Sequence, residues 1–500
     1  MPYVDIYSKD DHASIYYTTN TEYDCVGGFD PEKPTILMLH PTVLDSSWCS
    51  EQFSDPRLET NFNIIAFDMR VCGKSTCRAN GRHDSWVEAA DIAMCCQILR
   101  LPPCHIFACE ILSVNCALRL AILFPDISLS LTLVNAPPPT EMRWVFNGYD
   151  EVVQNWCYSE DLESIEHIGM ELTRFLVGAD CDPDLRDDLI QYWEVHTPPY
   201  RRTRTVEMLN VVLNRTPLKL HMLKEVNQPV LIIHGERNEV CPTNYAEKLA
   251  ADLVNAEGGA ILYMVRGAYL FPLLECGAGL LNVVPGTASI TNQVFSKFVS
   301  RLPKQRSDLG TSLVSREERM TAALARLAQL TGDSTIASRD PLCPMSFSCL
   351  ASDVIQAQSD SIALYRKGEC EAFNPCGPDG RAIRRLASSV PASPSPFSIT
   401  FSLQYLTFSD TRKQHWFTGE RDGISYAGSS FSKNVKQDAE PYERALPLPL
   451  GEPVTGDLAQ QGRVRRATIS PSSVDKHVIK GSMAKVVNSN APNGFQRLLK

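Results

Sequence analysis

Six short apolar runs lie in the first 300 residues, each bounded by Gly, Pro or Asn. Such runs are typical of strands that are buried on both faces of a parallel sheet. Stretches of helix length lie between them, and this alternation predicts an α/β fold with a mostly parallel central sheet flanked by helices. The predicted strands are 35–40, 63–68, 105–108, 129–135, 229–234 and 260–265, and the predicted helices are 84–99, 113–124, 245–255 and 287–301.

One long interval in this part of the chain lacks strand runs. Between Asn135 and Pro229 the pattern is helical and aromatic, with Trp144, Trp156 and Trp193 among its larger side chains. We expect this interval, about 141–226, to form an inserted helical cap over one end of the sheet. Such a position is a common place for a ligand pocket.

The pattern changes near residue 305. Ser315 and Glu318 form a capping-box pattern, which predicts a helix over 316–330. Residues 399–405 alternate between apolar and polar and predict a strand, whereas periodicity is absent from 446 onward. We therefore expect an α/β domain over 1–302, a small α+β or partly ordered region over 303–445, and a largely disordered tail over 446–500.

Composition narrows the class of protein. With 44% hydrophobic and 21% charged residues the chain can form a packed core. The first 300 residues carry a net charge of −17 and the last 200 carry +7, which together give −10. An acidic front body does not attract nucleic acid, and no apolar run reaches the length of a membrane-spanning helix. The oligomeric state is open at this stage.

Cysteine usage indicates the redox compartment. The 17 cysteines are odd in number, scattered, and without Cys-x-x-Cys spacing. The N-terminus lacks the basic and apolar regions of a signal peptide. This pattern favours reduced, mostly buried thiols in a cytoplasmic protein and argues against zinc or a disulfide framework. We expect no metal and no cofactor.

Several segments, in this order, resemble the α/β-hydrolase superfamily, of the type with a helical cap. His40 stands where the family has His-Gly after its third strand, and residues 68–75 are similar to its Asp-x-Arg-Gly-x-Gly-x-Ser turn. Residues 117–125 resemble the helix behind the nucleophile, 234–242 the loop of the acid, and 267–272 the segment of the histidine. The resemblance covers about 20–302 and is greatest to uncharacterised fungal members.

The resemblance implies a catalytic triad whose positions are filled by other residues. The elbow that carries the nucleophile reads Ala-Cys-Glu-Ile-Leu, with Glu110 at the nucleophile position. Asn238 occupies the acid position and Leu270 the histidine position. No histidine lies between His234 and residue 415, so the loop after the last strand cannot supply a general base.

Other residues can be considered for the missing roles. Cys109 or Ser113 are alternative nucleophiles, although bulky residues flank the first and the second lies further into the helix. Glu236 or Glu239 are alternative acids. The resemblance also implies an oxyanion and pocket region formed by His40, Pro41, Thr42 and Ile111.

Three hypotheses on function follow. In the first, the chain is a pseudo-hydrolase with a degenerate triad that binds a small apolar ligand, an ester or a partner. In the second, it is a non-standard ester or epoxide-type hydrolase that uses Glu110, Cys109 or Ser113 with a histidine of the cap, His167 or His196. In the third, it is an interaction protein that acts through its C-terminal region.

Overall fold

The structure, a computed structural model, describes residues 2–178, 181–265, 279–310 and 314–377. Within these, one compact unit comprises 2–146 and 203–367, and a second comprises 147–202 and 368–377. Leu270, the predicted strand over 399–405 and the predicted tail over 446–500 lie outside the described residues. The predicted domain boundaries and the position of the predicted cap stay predictions.

The strands of the first unit include all six that the apolar runs predict. The bounds are β1 Tyr3–Tyr7, β2 His12–Thr19, β3 Thr35–Leu39, β4 Asn63–Phe67, β5 Thr76–Cys77, β6 Cys104–Cys109, β7 Ser128–Val134, β8 Val230–Gly235 and β9 Ile261–Val265.

The helices include the four predicted between strands, although the helix predicted from residue 113 begins three residues earlier. The bounds are α1 Ser50–Phe53, α2 Pro56–Glu59, α3 Ser85–Ile98, α4 Glu110–Leu123, α5 Arg143–Cys157, α6 Leu162–Leu176, α7 Pro183–His196, α8 Arg202–Leu213, α9 Leu220–Leu223, α10 Thr243–Asp252, α11 Pro285–Val299, α12 Arg316–Thr331 and α13 Ser352–Arg366.

The strands of the described residues form one sheet in the order β1-β2-β4-β3-β6-β7-β8-β9, with β5 paired to β2 off this path. All pairs from β4 to β9 are parallel, whereas β2 runs antiparallel to both β1 and β4. A sheet with this order and one antiparallel strand in second place is the α/β-hydrolase fold. The predicted fold class is confirmed.

The apolar runs do not predict the N-terminal hairpin β1–β2. Its side chains alternate, with Val4 and Ile6 buried on one face while Tyr3, Asp5 and Tyr7 are exposed on the other. An edge hairpin with one solvated face has a period of two and contains no continuous apolar run. The alternation of exposed and buried side chains over residues 3–7 was the sequence signal that could have predicted this strand.

The strand order reverses at β3, and open α/β sheets form a crevice at such a point, outside the carboxyl ends of their strands. The chain leaves β3 for β4 on one side and later places β6 on the other side of β3. Ligands of open α/β sheets bind outside the carboxyl ends of the strands at such a reversal. The residues that follow Leu39 and Cys109 therefore mark the expected site.

Phe107 and Phe295 form the centre of the core on one face of the sheet. Their ring centroids are 4.9 Å apart. Side chains of β3, β4, β6 and β8 pack around them together with Phe298 of α11. This packing holds the strand ends rigidly enough to position side chains at the crevice.

Helices α3 and α4 form the other layer, and they are buried on almost all sides. A helix that is buried on all sides must pack against another element on the face that points away from the sheet. The C-terminal part of the same unit provides these contacts. Helix α12 packs on α3 and α4, and the short turn Pro344–Phe347 packs on α3.

Polar contacts also attach this C-terminal segment to the sheet domain. The carboxylate of Asp84, which caps α3, accepts a hydrogen bond from the backbone N–H of Cys349 at 2.8 Å. Arg319 of α12 forms an ion pair with Asp126 at 2.9 Å. The predicted capping box of Ser315 and Glu318 is present at the start of α12, and the helix predicted there is confirmed.

The second unit is helical. Helices α6 and α7 pack on each other, and the close approach leaves Gly169 facing Ile190, whose side chain would lie 3.0 Å from an added Cβ. The Trp156 indole donates a hydrogen bond to the carbonyl oxygen of Thr197 at 2.6 Å. These contacts agree with the helical and aromatic pattern of the sequence.

None of the described helices is both long enough and apolar enough to cross a bilayer.

We predict that α12 and the sheet domain unfold together. Leu324 is fully buried, so Leu324→Ala should lower the free energy of unfolding by about 2–5 kcal/mol. The exposed Gln329 on the same helix provides the control, since Gln329→Ala should change it by less than about 0.5 kcal/mol. Thermal melts followed by the far-ultraviolet circular dichroism of the whole chain measure both. A Leu324→Ala protein whose main unfolding transition is unshifted would contradict a shared unfolding unit.

Candidate functional site

Glu110 occupies a sharp turn at the carboxyl end of β6. The strand passes into α4 with no intervening loop, and Glu110 takes a φ of 67°, in the left-handed region. Such backbone costs a non-glycine residue on the order of 1–3 kcal/mol and tends to occur where a site needs it. A strained strand-to-helix turn of this kind presents the nucleophile in hydrolases of this fold. The sequence reasoning placed the same residue at this position.

The carboxyl group of Glu110 is held by two neutral donors. Oε1 accepts a hydrogen bond from Asn135 Nδ2 at 2.7 Å and from the backbone N–H of Leu280 at 3.2 Å. Only 8% of the residue is exposed. Burial raises the pKa of Glu110 to about 7 against the lowering effect of both hydrogen bonds. The carboxyl group is therefore partly protonated near neutral pH.

Asn135 joins the ends of three neighbouring strands. It follows β7 with a φ of 55°, and its side-chain oxygen accepts a hydrogen bond at 3.1 Å from the backbone N–H of Gly235, the last residue of β8. Its Nδ2 donates to Glu110 after β6. Asn tolerates left-handed backbone better than most residues, which suits it to this position.

The two alternative nucleophiles are buried and unsuited to attack. Burial raises the pKa of the Cys109 thiol well above its ordinary value, so the reactive thiolate is scarce. Ser113 lies inside α4, and its hydroxyl donates to the carbonyl oxygen of His40.

The predicted pocket residues after β3 make contacts of their own. Both ring nitrogens of His40 are engaged: Nδ1 donates to the carbonyl oxygen of Pro41 at 2.8 Å, and Nε2 accepts from the backbone N–H of Met69 at 3.0 Å. The Thr42 hydroxyl accepts from the backbone N–H of Leu112 at 3.1 Å. His40 thus joins two loops at the crevice.

The first turn of α4 includes Ile111, one of the predicted pocket residues. The first N–H groups of a helix have no acceptor within the helix. Thr42 satisfies that of Leu112, whereas Ile111 precedes it in the same turn, beside Glu110. The proposed use of the Ile111 N–H by a ligand stays a prediction.

Asn238, in the predicted acid position, organises its own loop. Its Oδ1 accepts from the backbone N–H of Cys241 at 2.8 Å, and its N–H donates to the Gly235 carbonyl at 3.3 Å. The alternative acid Glu236 is exposed, and Glu239 is partly buried. An amide carries no charge with which to orient a histidine, so Asn238 acts as a turn residue here.

His234 lies at the end of β8, and burial lowers its pKa to about 4. Its Nε2 donates to the carbonyl oxygen of Cys241 at 2.7 Å. Among the described residues, no group of His, Cys, Asp and Glu side chains is arranged to hold a metal ion.

Sequence reasoning missed both donors to Glu110. Asn135 was assigned to the end of a predicted strand, and the signal that could have singled it out is a polar residue that follows the apolar run of β7 at the same edge as Glu110. Leu280 acts through its backbone, which side-chain patterns do not reveal.

Known structures of similar fold include enzymes of several activities. An esterase from Exiguobacterium antarcticum is 18% identical, with 59% of this chain and 98% of that chain covered and a TM-score of 0.45. The enol-lactonase from Burkholderia xenovorans LB400 is 15% identical, with 60% and 100% covered and a TM-score of 0.46. No protein-family model and no curated protein matches the chain. Similarity at this level carries no conclusion about activity.

We predict that Glu110 makes stability pH-dependent. Its pKa rises from 4.5 to about 7 on folding, so between these values the folded state binds more protons than the unfolded state, and stability falls as pH rises. Glu110→Gln removes this titration. The variant should therefore gain stability relative to the wild type across this window, up to the order of 3 kcal/mol above about pH 7.

Urea unfolding of both proteins between about pH 4 and about pH 9 measures the difference. Glu247→Gln, at an exposed carboxylate on α10, is the matched control and should change stability by less than about 0.5 kcal/mol. A Glu110→Gln difference that stays constant across the window would contradict the prediction.

Proposed function

We propose that the chain is a pseudo-hydrolase: an α/β-hydrolase-fold protein with a degenerate triad that binds a small apolar ligand, an ester or a partner at the crevice beside Glu110. The observation that carries this proposal is the environment of the Glu110 carboxyl. Two neutral donors, Asn135 and the Leu280 N–H, stabilise it at the position where a hydrolase needs a nucleophile activated by histidine.

The histidines support the same proposal. His40 and His234 are engaged by backbone groups, and the sequence holds no histidine in the segment that would follow β9. His167 and His196, the two histidines proposed from the cap, belong to the second unit, on α6 and at the end of α7. The His196 ring stacks on Tyr192 at 4.4 Å between centroids.

The thiols support a cytoplasmic location. All 16 cysteines among the described residues are free, and most are buried. Free thiols in such number suit a reducing compartment.

We predict no multiple-turnover ester hydrolysis by the purified full-length chain. General base catalysis contributes about 10²–10⁴-fold, and no base is among the hydrogen-bond partners of Glu110 in the described residues. A series of p-nitrophenyl esters of increasing acyl length measures the rate against buffer. Steady turnover that is abolished by Glu110→Ala, Cys109→Ala or Ser113→Ala would overturn the proposal and would identify the nucleophile.

Ligand binding is tested separately by thermal shift. A library of small apolar esters, acids and lactones should contain compounds that raise the melting temperature, since a ligand at about 100 times its Kd adds about 2.7 kcal/mol. Glu110→Ala should change which compounds bind, because it alters the charge and hydrogen bonding of the site. Glu247→Ala, on the exposed face of α10, should leave the binding profile unchanged.

A second candidate function follows from the left-handed backbone of Glu110, which presents the side chain as a hydrolase presents its nucleophile. A carboxylate oxygen can attack a saturated carbon, displace a halide or open an epoxide, and form an ester. Hydrolysis of that ester requires an activated water, and the described hydrogen-bond partners of Glu110, an amide and a backbone N–H, supply no base for it. The expected yield is one event per molecule.

Mass spectrometry of the full-length chain treated with alkyl halides and epoxides distinguishes the two candidates. The pseudo-hydrolase proposal predicts no adduct on the peptide that contains Glu110. A stoichiometric adduct there, absent from Glu110→Gln, would favour the second candidate.

A further inference from the structure

The two oxygens of the Glu110 carboxyl are not equivalent. Oε1 accepts from Asn135 Nδ2 and from the Leu280 N–H. Oε2 makes no hydrogen bond among the described residues. The side chain therefore anchors one oxygen in the protein, and the other is the oxygen with which a ligand can pair.

The atoms that face Oε1 must be donors. The Leu280 group is a backbone N–H, which can only donate. The orientation of the Asn135 amide is fixed as well, because its other end faces the backbone N–H of Gly235, and that group requires an oxygen opposite it. With two donors directed at Oε1, a proton on the carboxyl group belongs on Oε2.

The partially positive N-terminus of α4 begins at Glu110 itself. Glu110 is the first residue of α4, a helix of 14 residues. The N-terminus of a helix favours negative charge or an electron-rich oxygen and disfavours a cation. A ligand that meets both a protonated Oε2 and this helix end is best matched by an acceptor oxygen.

We propose that Glu110 binds carbonyl-containing ligands by donating a hydrogen bond from protonated Oε2 to the carbonyl oxygen. This inference rests on the proposed function, since it specifies the ligand class of the same crevice. It assigns Glu110 the role of a neutral donor and not that of a nucleophile or an anion.

The surroundings of Glu110 support a neutral carboxyl group. Burial raises its pKa to about 7. In the part of the chain that the structure describes, the titratable groups that interact with it are the thiols of Cys109 on β6 and Cys241 after β8, and burial raises the pKa of both. Cys49 lies near Cys109, and burial also raises its pKa.

Three further ionisable side chains interact with Cys241. His234 on β8 has a pKa lowered to about 4 by burial and is neutral at higher pH. Glu141 and Arg215, which interact with Cys241, form a buried ion pair at 2.8 Å and offset each other.

The test measures binding of straight-chain 2-ketones of increasing length to the full-length protein by calorimetry across pH. These probes do not titrate and have one acceptor oxygen. Wild-type affinity should be constant below about pH 6 and fall about 100-fold by about pH 9, two units above the pKa of Glu110.

Two variants provide the decisive comparison. In Glu110→Gln the amide oxygen can accept from Asn135 and Leu280 while the amide nitrogen donates to the ligand, which mimics the protonated acid. This variant should bind the same ketones with an affinity that stays constant with pH. Glu110→Ala should lose the carbonyl contribution at every pH, and Glu247→Gln should behave as the wild type.

Other outcomes would overturn the inference. These are absence of binding by every ketone at about pH 5, wild-type binding that stays constant to about pH 9, or tighter binding of the corresponding 2-aminoalkanes than of the ketones. Ketone binding that is independent of pH and of Glu110 would leave the pseudo-hydrolase proposal intact. Multiple-turnover ester hydrolysis would remove that proposal without bearing on the protonation of Oε2.

An infrared measurement decides the protonation state without a ligand. The difference spectrum between the wild type and Glu110→Gln below about pH 6 should contain the carbonyl stretch of a protonated carboxyl group, and the band should disappear as the pH rises through about 7. A carboxylate signal across the whole range would overturn the inference.

Discussion

The burial of the Glu110 carboxyl group is the constraint on which the proposed chemistry of this site depends. Glu110 stands where β6 turns into α4, almost sealed from water, and its hydrogen-bond partners among the described residues are a side-chain amide and a backbone N–H. Neither partner brings a charge to balance a carboxylate, so desolvation dominates and the proton is retained to about neutral pH. Both the proposed loss of triad chemistry and the proposed recognition of a carbonyl group depend on this balance.

The scaffold makes that balance possible by holding the strand ends still. Asn135 connects the ends of β6, β7 and β8 through a single amide, and a core centred on Phe107 and Phe295 fixes the strands behind it. Behind α4, the C-terminal helix α12 covers a surface that a sheet alone leaves exposed. A strained turn such as that of Glu110 persists when the hydrogen bonds and packing around it hold the backbone in that conformation.

Residues at the positions that resemble the catalytic pattern of α/β-hydrolases make structural contacts. His40 bridges two loops with both ring nitrogens, and Asn238 closes the loop after β8. Ser113 donates its hydroxyl to the His40 carbonyl inside α4. These contacts stabilise the loops around Glu110, and the binding role proposed for the site rests on its own residues, since function belongs to the site and not to the fold.

The sequence by itself determined the alternation of buried strands and helices, the position of Glu110 at the elbow, and the lack of a histidine between His234 and residue 415, because local periodicity and residue identity carry that information. It did not reveal the hairpin β1–β2, whose one-sided burial contains no apolar run. Only the tertiary structure brought Asn135 and Leu280, 25 and 170 positions away, to Glu110, and placed α12 over α3 and α4. The protonation of a buried carboxyl group depends on such distant partners and on the solvent they exclude, so it is a property of the folded chain.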